Sequence, residues 1–436
     1  MIYSHITELI GDTPLLRLDP AVHGLPGVEL YAKLESHNPF GSVKDRVAWA
    51  MIRDDLDRIA GRGQSFIEAS SGNTAKALRV LGALHGIPLR AVTNRIRVTE
   101  VRQLLQLLGT EIVELPGLSE CPDPHAADDV SAVIEQTTGQ APERWFHPSQ
   151  YTNERNIAAH HDGTGTEIAA DLAAAGIARL DYLIGGLGTT GSTRGTATAL
   201  RAQHPDLRTV GVVSDRFDFI PGIRSEREMW DVGLFRPGFY DEIVTVDSAT
   251  AIEATLDLVR GYGVLAGPTS GAGYAAALRT LAAAPRPVDR PLVAVLIVCD
   301  RLEPYLSYVA KRRPDLFGKP AAPDPPGPEE AAPVLAPDEL AELDRTGRPT
   351  VVDTRGAMAY RVGHVPGAVN IRDDHLDELL AQGMPFSRSR PVVFVCPVGE
   401  TSLRFAALAR RAGYDAFSLA GGIVAWRDAG LPLERG

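Results

Sequence analysis

Cysteine is scarce in this 436-residue chain: there are three, Cys121, Cys299 and Cys396, with no CxxC spacing among them. A sparse, odd set supports neither a disulfide framework nor a thiolate zinc site, so a special thiol would have to act through its own reactivity. Long apolar runs are missing as well, and stretches such as residues 291–299 fall far short of the roughly 20 residues that span a bilayer. Positive charge is in deficit. The 44 Lys and Arg against 55 Asp and Glu leave a formal charge of −11, the wrong sign for general binding of nucleic acid or an anionic membrane. The opening Met1-Ile-Tyr-Ser-His-Ile-Thr-Glu has neither the basic start nor the apolar core of a secretion signal. A cytoplasmic protein is expected, without a metal site and without nucleic-acid or membrane partners.

What is present is an ordinary globular balance, 23% charged and 44% hydrophobic, in a length that suggests about two to four domains. Residues 318–337 contain seven prolines among mostly Ala, Gly, Glu and Asp, a composition that stays extended rather than packing. The expected domains are therefore a body, 1–317, a linker, 318–337, and a tail, 338–436. In the body, β-branched runs such as Leu89-Arg-Ala-Val-Thr93, Leu180-Asp-Tyr-Leu-Ile-Gly and Leu292-Val-Ala-Val-Leu-Ile-Val alternate with helical stretches near 75–85, 195–203 and 302–311. This is an α/β pattern with a parallel sheet. The tail repeats it in miniature, with strands at Thr350-Val-Val-Asp and Pro391-Val-Val-Phe-Val and a helix over 401–412.

Four glycine- or hydroxyl-rich segments stand at strand-to-helix junctions, where open α/β sheets bind ligands. In Asn38-Pro-Phe-Gly-Ser-Val-Lys44-Asp-Arg a lysine sits just inside a helix start; a solvated surface lysine is the plain alternative. Glu68-Ala-Ser-Ser-Gly-Asn-Thr74 gathers hydroxyls and amides at a helix N-terminus, which suits a carboxylate or serves merely as a capping turn. Gly185-Gly-Leu-Gly-Thr-Thr-Gly-Ser-Thr193 suits a phosphate, because glycine lets the backbone approach while amides and hydroxyls surround the anion. The same run contains a formal GxGxxG with Asp215 downstream, so a dinucleotide site is a rival reading. Gly267-Pro-Thr-Ser-Gly-Ala272 is the fourth segment.

In this order the segments resemble the cysteine synthase, or β-replacement, family of fold-type II pyridoxal-phosphate enzymes. The likeness runs from Ile10-Gly-Asp-Thr-Pro-Leu-Leu-Arg17 through Lys33-Leu-Glu-Ser-His-Asn-Pro-Phe-Gly-Ser-Val-Lys-Asp-Arg46 to the helix near Tyr305. It implies a two-lobed α/β enzyme of the tryptophan synthase β type, a homodimer, with pyridoxal 5′-phosphate as cofactor. On this likeness Lys44 would form the Schiff base and Asn73 would contact the ring hydroxyl. Gly188, Thr189, Thr190, Gly191 and Ser192 would hold the phosphate, and Thr269, beside Ser270, would meet the pyridine nitrogen. A neutral hydroxyl there weakens the electron sink, which favours β-elimination over transamination. Ser70, Ser71, Gly72 and Thr74 with Gln150 would grip the substrate carboxylate. The freed Lys44 amine would remove the α-proton while the cofactor carries the electronic work.

Three positions depart from the family's pattern. Ala75 stands where glycine is frequent, and the phosphate loop reads Gly-Thr-Thr-Gly-Ser where Gly-Thr-Gly-Gly-Thr is commoner. Cys299-Asp300 replaces a proline-aspartate-serine strand end, leaving Cys299 as a buried structural thiol or one that approaches the ring. In Phe219-Ile-Pro-Gly-Ile-Arg-Ser-Glu-Arg-Glu-Met-Trp230, Arg224 occupies the place of an arginine found in O-phosphoserine-using members. A guanidinium grips a phosphate bidentately, so O-phosphoserine is favoured and O-acetylserine is second; pairing with Glu226 or Glu228 is the alternative role for Arg224. The same stretch also resembles enzymes that join O-phosphoserine to glutamate on the way to diaminopropionate.

In the tail, Cys396 ends an apolar strand and opens Cys396-Pro-Val-Gly-Glu-Thr-Ser402 before a helix, a setting that stabilises a thiolate. Val351-Val-Asp-Thr-Arg355, Gly363-His-Val-Pro-Gly-Ala-Val-Asn370 and Gly421-Gly-Ile-Val-Ala-Trp426 resemble the rhodanese domain. By that likeness Cys396 would carry a persulfide, with Asp353 and Arg355 helping to hold the site. Glu400 places a negative charge in a loop where many thiosulfate-using rhodaneses carry basic groups, which points instead to a persulfide donor or a sulfur-carrier protein. A tethered carrier raises the effective concentration of sulfur where an activated serine is opened. The leading expectation is synthesis of cysteine or a related β-thio amino acid from an activated serine, with sulfide or persulfide relayed through Cys396. The persulfide needs a reductant or second thiol to release its sulfur, a role that Cys121 fits less well than that of a loop bystander. The rivals are a cysteine desulfhydrase, a nitrogen-nucleophile synthase, and a nucleotide-binding protein with a non-catalytic partner module.

Overall fold

The run Leu292–Val298 is buried at all seven positions, as expected of a parallel strand covered by helices on both faces. The computed structural model describes residues 2–435 apart from 94–95, 116–129, 216–217, 226–228, 230–231, 319–331, 348, 373–375, 377–378 and 381–382. Cys121, Glu226, Glu228 and most of the proline-rich stretch thus lie outside the described residues. Packing divides the chain into two compact units, Met1–Val113 with Ile134–Lys319 and Glu114–Val133 with Pro320–Gly436.

The larger unit holds two sheets. Its strands in chain order are β1 (Leu15–Leu18), β2 (Val28–Leu34), β3 (Ser65–Ala69), β4 (Leu89–Thr93), β5 (Glu111–Glu114), β6 (Trp145–Phe146), β7 (Tyr182–Gly186), β8 (Arg208–Ser214), β9 (Glu242–Val246) and β10 (Leu292–Val298). One sheet has the order β1-β2-β10-β7-β8-β9, parallel except for the β1–β2 pair, and the other has the order β5-β4-β3-β6. The second sheet is inserted in sequence between β2 and β7, which makes the unit two-lobed. Helices α1 (Lys44–Ile52), α2 (Asn73–Leu84), α3 (Gly191–Arg201), α4 (Ser248–Tyr262) and α5 (Pro268–Ala283) include those that carry the segments singled out above.

Helix α3 begins four residues earlier than the sequence pattern indicates, inside the glycine-rich run. The reason is tertiary. A Cβ on Gly191 would stand 1.9 Å from Asn156 Oδ1, and one on Gly195 would stand 2.2 Å from the Ile157 carbonyl oxygen. These glycines let α3 lie directly on the preceding 155–159 helix, and that packing outweighs their poor helix propensity.

A buried ionic lattice clamps the α1 region. Lys33, fully buried, donates to Thr13 O at 2.5 Å and pairs with Glu167 at 2.8 Å. Arg46 bridges Glu35 at 2.7 Å and Glu167 at 2.6 Å, and the Thr13 hydroxyl donates to Glu35 at 2.9 Å. Buried charges persist only when paired this completely.

The smaller unit is one sheet of β11 (Val334–Leu335), β12 (Thr350–Asp353), β13 (Val369–Asn370), β14 (Val392–Val395) and β15 (Ala416–Leu419), ordered β11-β15-β14-β12-β13 and parallel throughout. Helix α6 (Glu400–Arg411) packs Phe405, Ala406 and Ala409 into the same core as Phe394 of β14. Among the described residues no helix is long and apolar enough to cross a membrane.

Burial opposes the charge on Glu167, but hydrogen bonds from Arg46 and Lys33 outweigh it and hold the carboxyl at about 2 against an ordinary 4.5. A carboxylate with a depressed pKa stabilises the fold fully above its unfolded value, and this contribution fades as pH falls through the folded value. Glu167→Gln should therefore lose about 2–4 kcal/mol of unfolding free energy at pH 7 in a urea titration. The gap to wild type should close as pH falls from 4.5 to about 2.

Candidate active site

The two residues after β10 fasten the start of α1. Val43 N–H donates to Cys299 O at 2.8 Å, and Ser42 and Asp300 form an antiparallel bridge. Lys44, the first residue of α1, is thereby held at the carboxyl edge of the larger sheet. The residue keeps some exposed surface, yet desolvation of its amine lowers the pKa against the opposing pull of Cys299 and Asp300. A larger share of such an amine is unprotonated at neutral pH than of a solvated lysine, and so available as nucleophile and base. Cys299 is different: burial pushes its thiol up to about 12, so it stays protonated at neutral pH and behaves as a packed structural group.

Asp300 and Tyr305 join this cluster through Asn73. The Asn73 amide donates to Asp300 Oδ2 at 2.7 Å and to the Tyr305 hydroxyl at 3.2 Å, and the Tyr305 hydroxyl donates to the same Asp300 oxygen at 2.5 Å. Both Asn73 amide protons are thus committed, and meeting a cofactor hydroxyl would require one of these bonds to be exchanged. Asp300 Oδ1 is buried without a partner, and burial raises the carboxyl's pKa. Asp300 and Tyr305 stand in no glycine- or hydroxyl-rich motif; their signal in the sequence is a carboxylate two residues beyond a seven-residue apolar strand.

The hydroxyl turn after β3 is fastened both to the start of α2 and to Gln150. Ser70 Oγ accepts from Ala75 N–H at 3.1 Å, which ties the turn to the first residues of α2. The Thr74 hydroxyl donates to Gln150 Oε1 at 2.7 Å, and Gln150 Nε2 donates to Ala69 O at 2.6 Å. Ser70, Thr74 and Gln150 are therefore together; Gly72 is half-buried in the turn and Ser71 is exposed.

In the Gly-Thr-Thr-Gly-Ser loop, Thr190 takes a left-handed φ of 69°, and α3 starts without a side-chain cap. Thr190 Oγ1 is buried without a hydrogen-bond partner, with the Tyr240 hydroxyl nearby, and Thr189 Oγ1 accepts from Asn156 Nδ2 at 3.0 Å. Ser192 is buried in the first turn of α3. An orphaned hydroxyl beside uncapped helical N–H groups fits a phosphate. The 220–225 segment closes over this loop. Arg224 N–H donates to Leu187 O at 2.9 Å, and a Cβ on Gly188 would stand 2.6 Å from Gly222 O. The Thr269 hydroxyl donates to Pro221 O, while Ser270 Oγ accepts from Cys299 N–H at 2.9 Å. The Arg224 guanidinium lies over the Tyr151 ring, 4.8 Å from its centroid.

In the smaller unit Cys396 follows β14 and is fully buried. Its sulfur accepts from Gly399 N–H at 3.1 Å and from the Ser402 hydroxyl at 3.3 Å, beside the N-terminus of α6. Gly421 and Gly422, with φ of 65° and 61°, press against this loop; a Cβ on Gly422 would stand 2.2 Å from Cys396 O. Asp353 and Arg355 pair with each other at 2.7 Å, and Arg355 reaches Gly363 O at 2.7 Å, tying β12 to the Gly363 turn. Glu400 is half-buried in the first turn of α6.

The Pyridoxal-phosphate dependent enzyme family matches residues 6–300, and the Rhodanese-like domain family matches residues 336–429. Cysteine synthase B of Salmonella typhimurium is 31% identical over 303 residues, covering 69% of this chain and 94% of that protein. N-(2-amino-2-carboxyethyl)-L-glutamate synthase of Cupriavidus metallidurans is 33% identical over 317 residues, covering 71% and 90%. Among solved structures, the O-acetylserine dependent cystathionine beta-synthase of Helicobacter pylori has a TM-score of 0.59 at 26% identity, covering 70% of this chain and 98% of that one. Gly191→Ala drives a methyl group into Asn156 at the phosphate loop. It should weaken pyridoxal phosphate binding by about tenfold or more, read from visible absorbance in a titration of the apoprotein. Matched across most of its length, the chain belongs to the pyridoxal-phosphate-dependent enzymes of the cysteine synthase type and carries a rhodanese-like domain in its C-terminal part.

Proposed function

We propose that the protein replaces the β-substituent of an activated serine, O-phosphoserine in preference to O-acetylserine, with sulfur handed on by Cys396. The observation that carries this reading is the joint one of a desolvated Lys44 amine and, in the same chain, a Cys396 thiol that accepts from an amide and a hydroxyl. Pyridoxal phosphate supplies the electron sink that lets the β-substituent leave. The phosphate loop, Gly188 to Ser192, holds its phosphate, and Asn73 faces the ring hydroxyl once its amide exchanges a partner. Thr269, with Ser270 beside it in the Gly267 turn, meets the ring nitrogen once its hydroxyl exchanges Pro221 O for that partner. Ser70, Ser71, Gly72, Thr74 and Gln150 orient the substrate carboxylate, Lys44 Nζ moves the α-proton, and Arg224 meets the leaving phosphate.

At Cys396, a thiol-class acceptor attacks the outer sulfur of the persulfide. The sulfur–sulfur bond breaks with its electron pair going to Cys396, where Gly399 N–H and the Ser402 hydroxyl stabilise the thiolate. A second thiol then frees hydrogen sulfide as the acceptor becomes a disulfide. A homodimeric, cytoplasmic enzyme fits this role. A second reading, an amine nucleophile in place of sulfide, is favoured by the 33% identity to the N-(2-amino-2-carboxyethyl)-L-glutamate synthase of Cupriavidus metallidurans.

The test is product formation from either serine ester with sulfide, a small-molecule persulfide plus thiol, or glutamate. Cys396→Ala should cut persulfide-dependent relative to sulfide-dependent product by about tenfold or more. An unchanged ratio removes the relay, and turnover only with glutamate favours the amine reading.

A further inference from the structure

We propose that Ser418 is a positioning residue that turns the Ser402 hydroxyl onto Cys396 when the thiol ionises; the inference rests on reading Cys396 as the sulfur carrier. Ser418 lies on β15 and Ser402 in the first turn of α6, and both are fully buried. The Ser402 hydroxyl reaches Cys396 Sγ at 3.3 Å and Ser418 Oγ at 2.8 Å. Ser418 Oγ in turn reaches Gly399 O at 3.4 Å, and Gly399 N–H donates to Cys396 Sγ at 3.1 Å. The four residues close a ring of contacts at the sulfur, and one of them comes from β15, the strand paired with β14.

Two hydroxyl protons cannot fill three links. Each serine has one proton to give, while the links Ser402 to Cys396, Ser402 to Ser418 and Ser418 to Gly399 O each need one. With a thiol the chain runs outward, from Cys396 S–H through Ser402 and Ser418 to Gly399 O. With a thiolate the sulfur only accepts, so the chain runs inward, Ser418 donating to Ser402 and Ser402 to Cys396. Each hydroxyl keeps its own proton and merely turns, while the thiol proton passes to the buffer. The inward arrangement gives up only the link to Gly399 O, the longest of the three. Hydrogen bonds in such a chain polarise one another, so a donor behind Ser402 strengthens its hold on the charge. The same support is available when a persulfide gives up its outer sulfur, because Cys396 then leaves as a thiolate. The ionisable side chains placed at this loop are Glu400, in the first turn of α6, and the Asp353 and Arg355 pair, joined at 2.7 Å. Residues 392–395 of β14 and 416–423 of β15 and its following turn bring none.

The experiment follows the ultraviolet absorbance of the Cys396 thiolate across pH in the full-length holoenzyme, with Cys396→Ala as the blank; burial of the sulfur does not impede this reading. Ser418→Ala should raise the ionisation midpoint by about 0.5 pH unit, leaving roughly threefold less thiolate below the midpoint. Ser402→Ala should raise it by about one unit. Adding Ser418→Ala to Ser402→Ala should then move it by less than about 0.2 unit, because the chain is already cut, whereas a packing role would persist. Ser418→Thr and Ser418→Val have nearly the same shape and differ in the hydroxyl, so they decide the matter if Ser418→Ala does not fold. The threonine should keep the wild-type midpoint within about 0.2 unit, and the valine should shift it as alanine does. An unshifted midpoint in Ser418→Ala, or a threonine that shifts as far as valine, overturns the Ser418 role. Shifts of Ser402→Ala and Ser418→Ala that add in full overturn it too. A ratio of persulfide-dependent to sulfide-dependent product that is unchanged in Cys396→Ala overturns instead the sulfur-carrier reading on which the assignment rests, whatever the midpoints.

Discussion

The carboxyl end of β10 is the fixed point of the larger unit. Val43 donates to Cys299 O, Gly267 N–H donates to Asp300 O, and Cys299 N–H donates to Ser270. The Asp300 carboxylate then takes the Asn73 amide and the Tyr305 hydroxyl. One strand end thus collects the lysine, the Asn73 amide and the hydroxyl turn from segments as far apart as residues 42 and 305. The backbone bonds explain how a lysine amine can be held in a desolvated place: the strand end, not the lysine's own side chain, sets its position. Ligands of open α/β sheets gather at such edges because the loops that follow parallel strands all emerge there.

Close approach does the same for the phosphate loop. Gly188, Gly191 and Gly195 sit where a Cβ would enter a carbonyl oxygen or the Asn156 side chain, so the loop, the 155–159 helix and the 220–225 segment form one tight stack. Arg224 belongs to the 220–225 layer, and its guanidinium lies over the Tyr151 ring. The ionic lattice of Lys33, Glu35, Arg46 and Glu167 performs a parallel task behind Lys44, trading desolvation for complete pairing.

The two described cysteines show how surroundings decide what a thiol does. Both are buried. Cys299 lies among apolar groups beside a carboxylate, and burial keeps its proton on. Cys396 stands at a helix N-terminus with an amide and a hydroxyl directed at its sulfur, which favours the thiolate. Burial alone therefore does not decide how readily a thiolate forms; the donors around the sulfur do.

Much of this was readable in the chain. Strand runs such as Leu89–Thr93 and Leu292–Val298 have the bounds their apolar residues suggest, because burial on both faces leaves no alternative pattern. The Lys44, Ser70–Thr74, Gly185–Thr193 and Cys396 segments announce themselves through glycines and hydroxyls beside a helix start, a local signal carried by a few adjacent residues. The sequence by itself determined the α/β class, the parallel strands and the chemistry available at each turn. Only the tertiary structure decided which proton is spent where: that Thr269 gives its proton to Pro221, that Asn73 is held by Asp300 and Tyr305, and that Arg224 rests on Tyr151. Those choices depend on contacts between residues tens to hundreds of positions apart, and neither composition nor spacing encodes them.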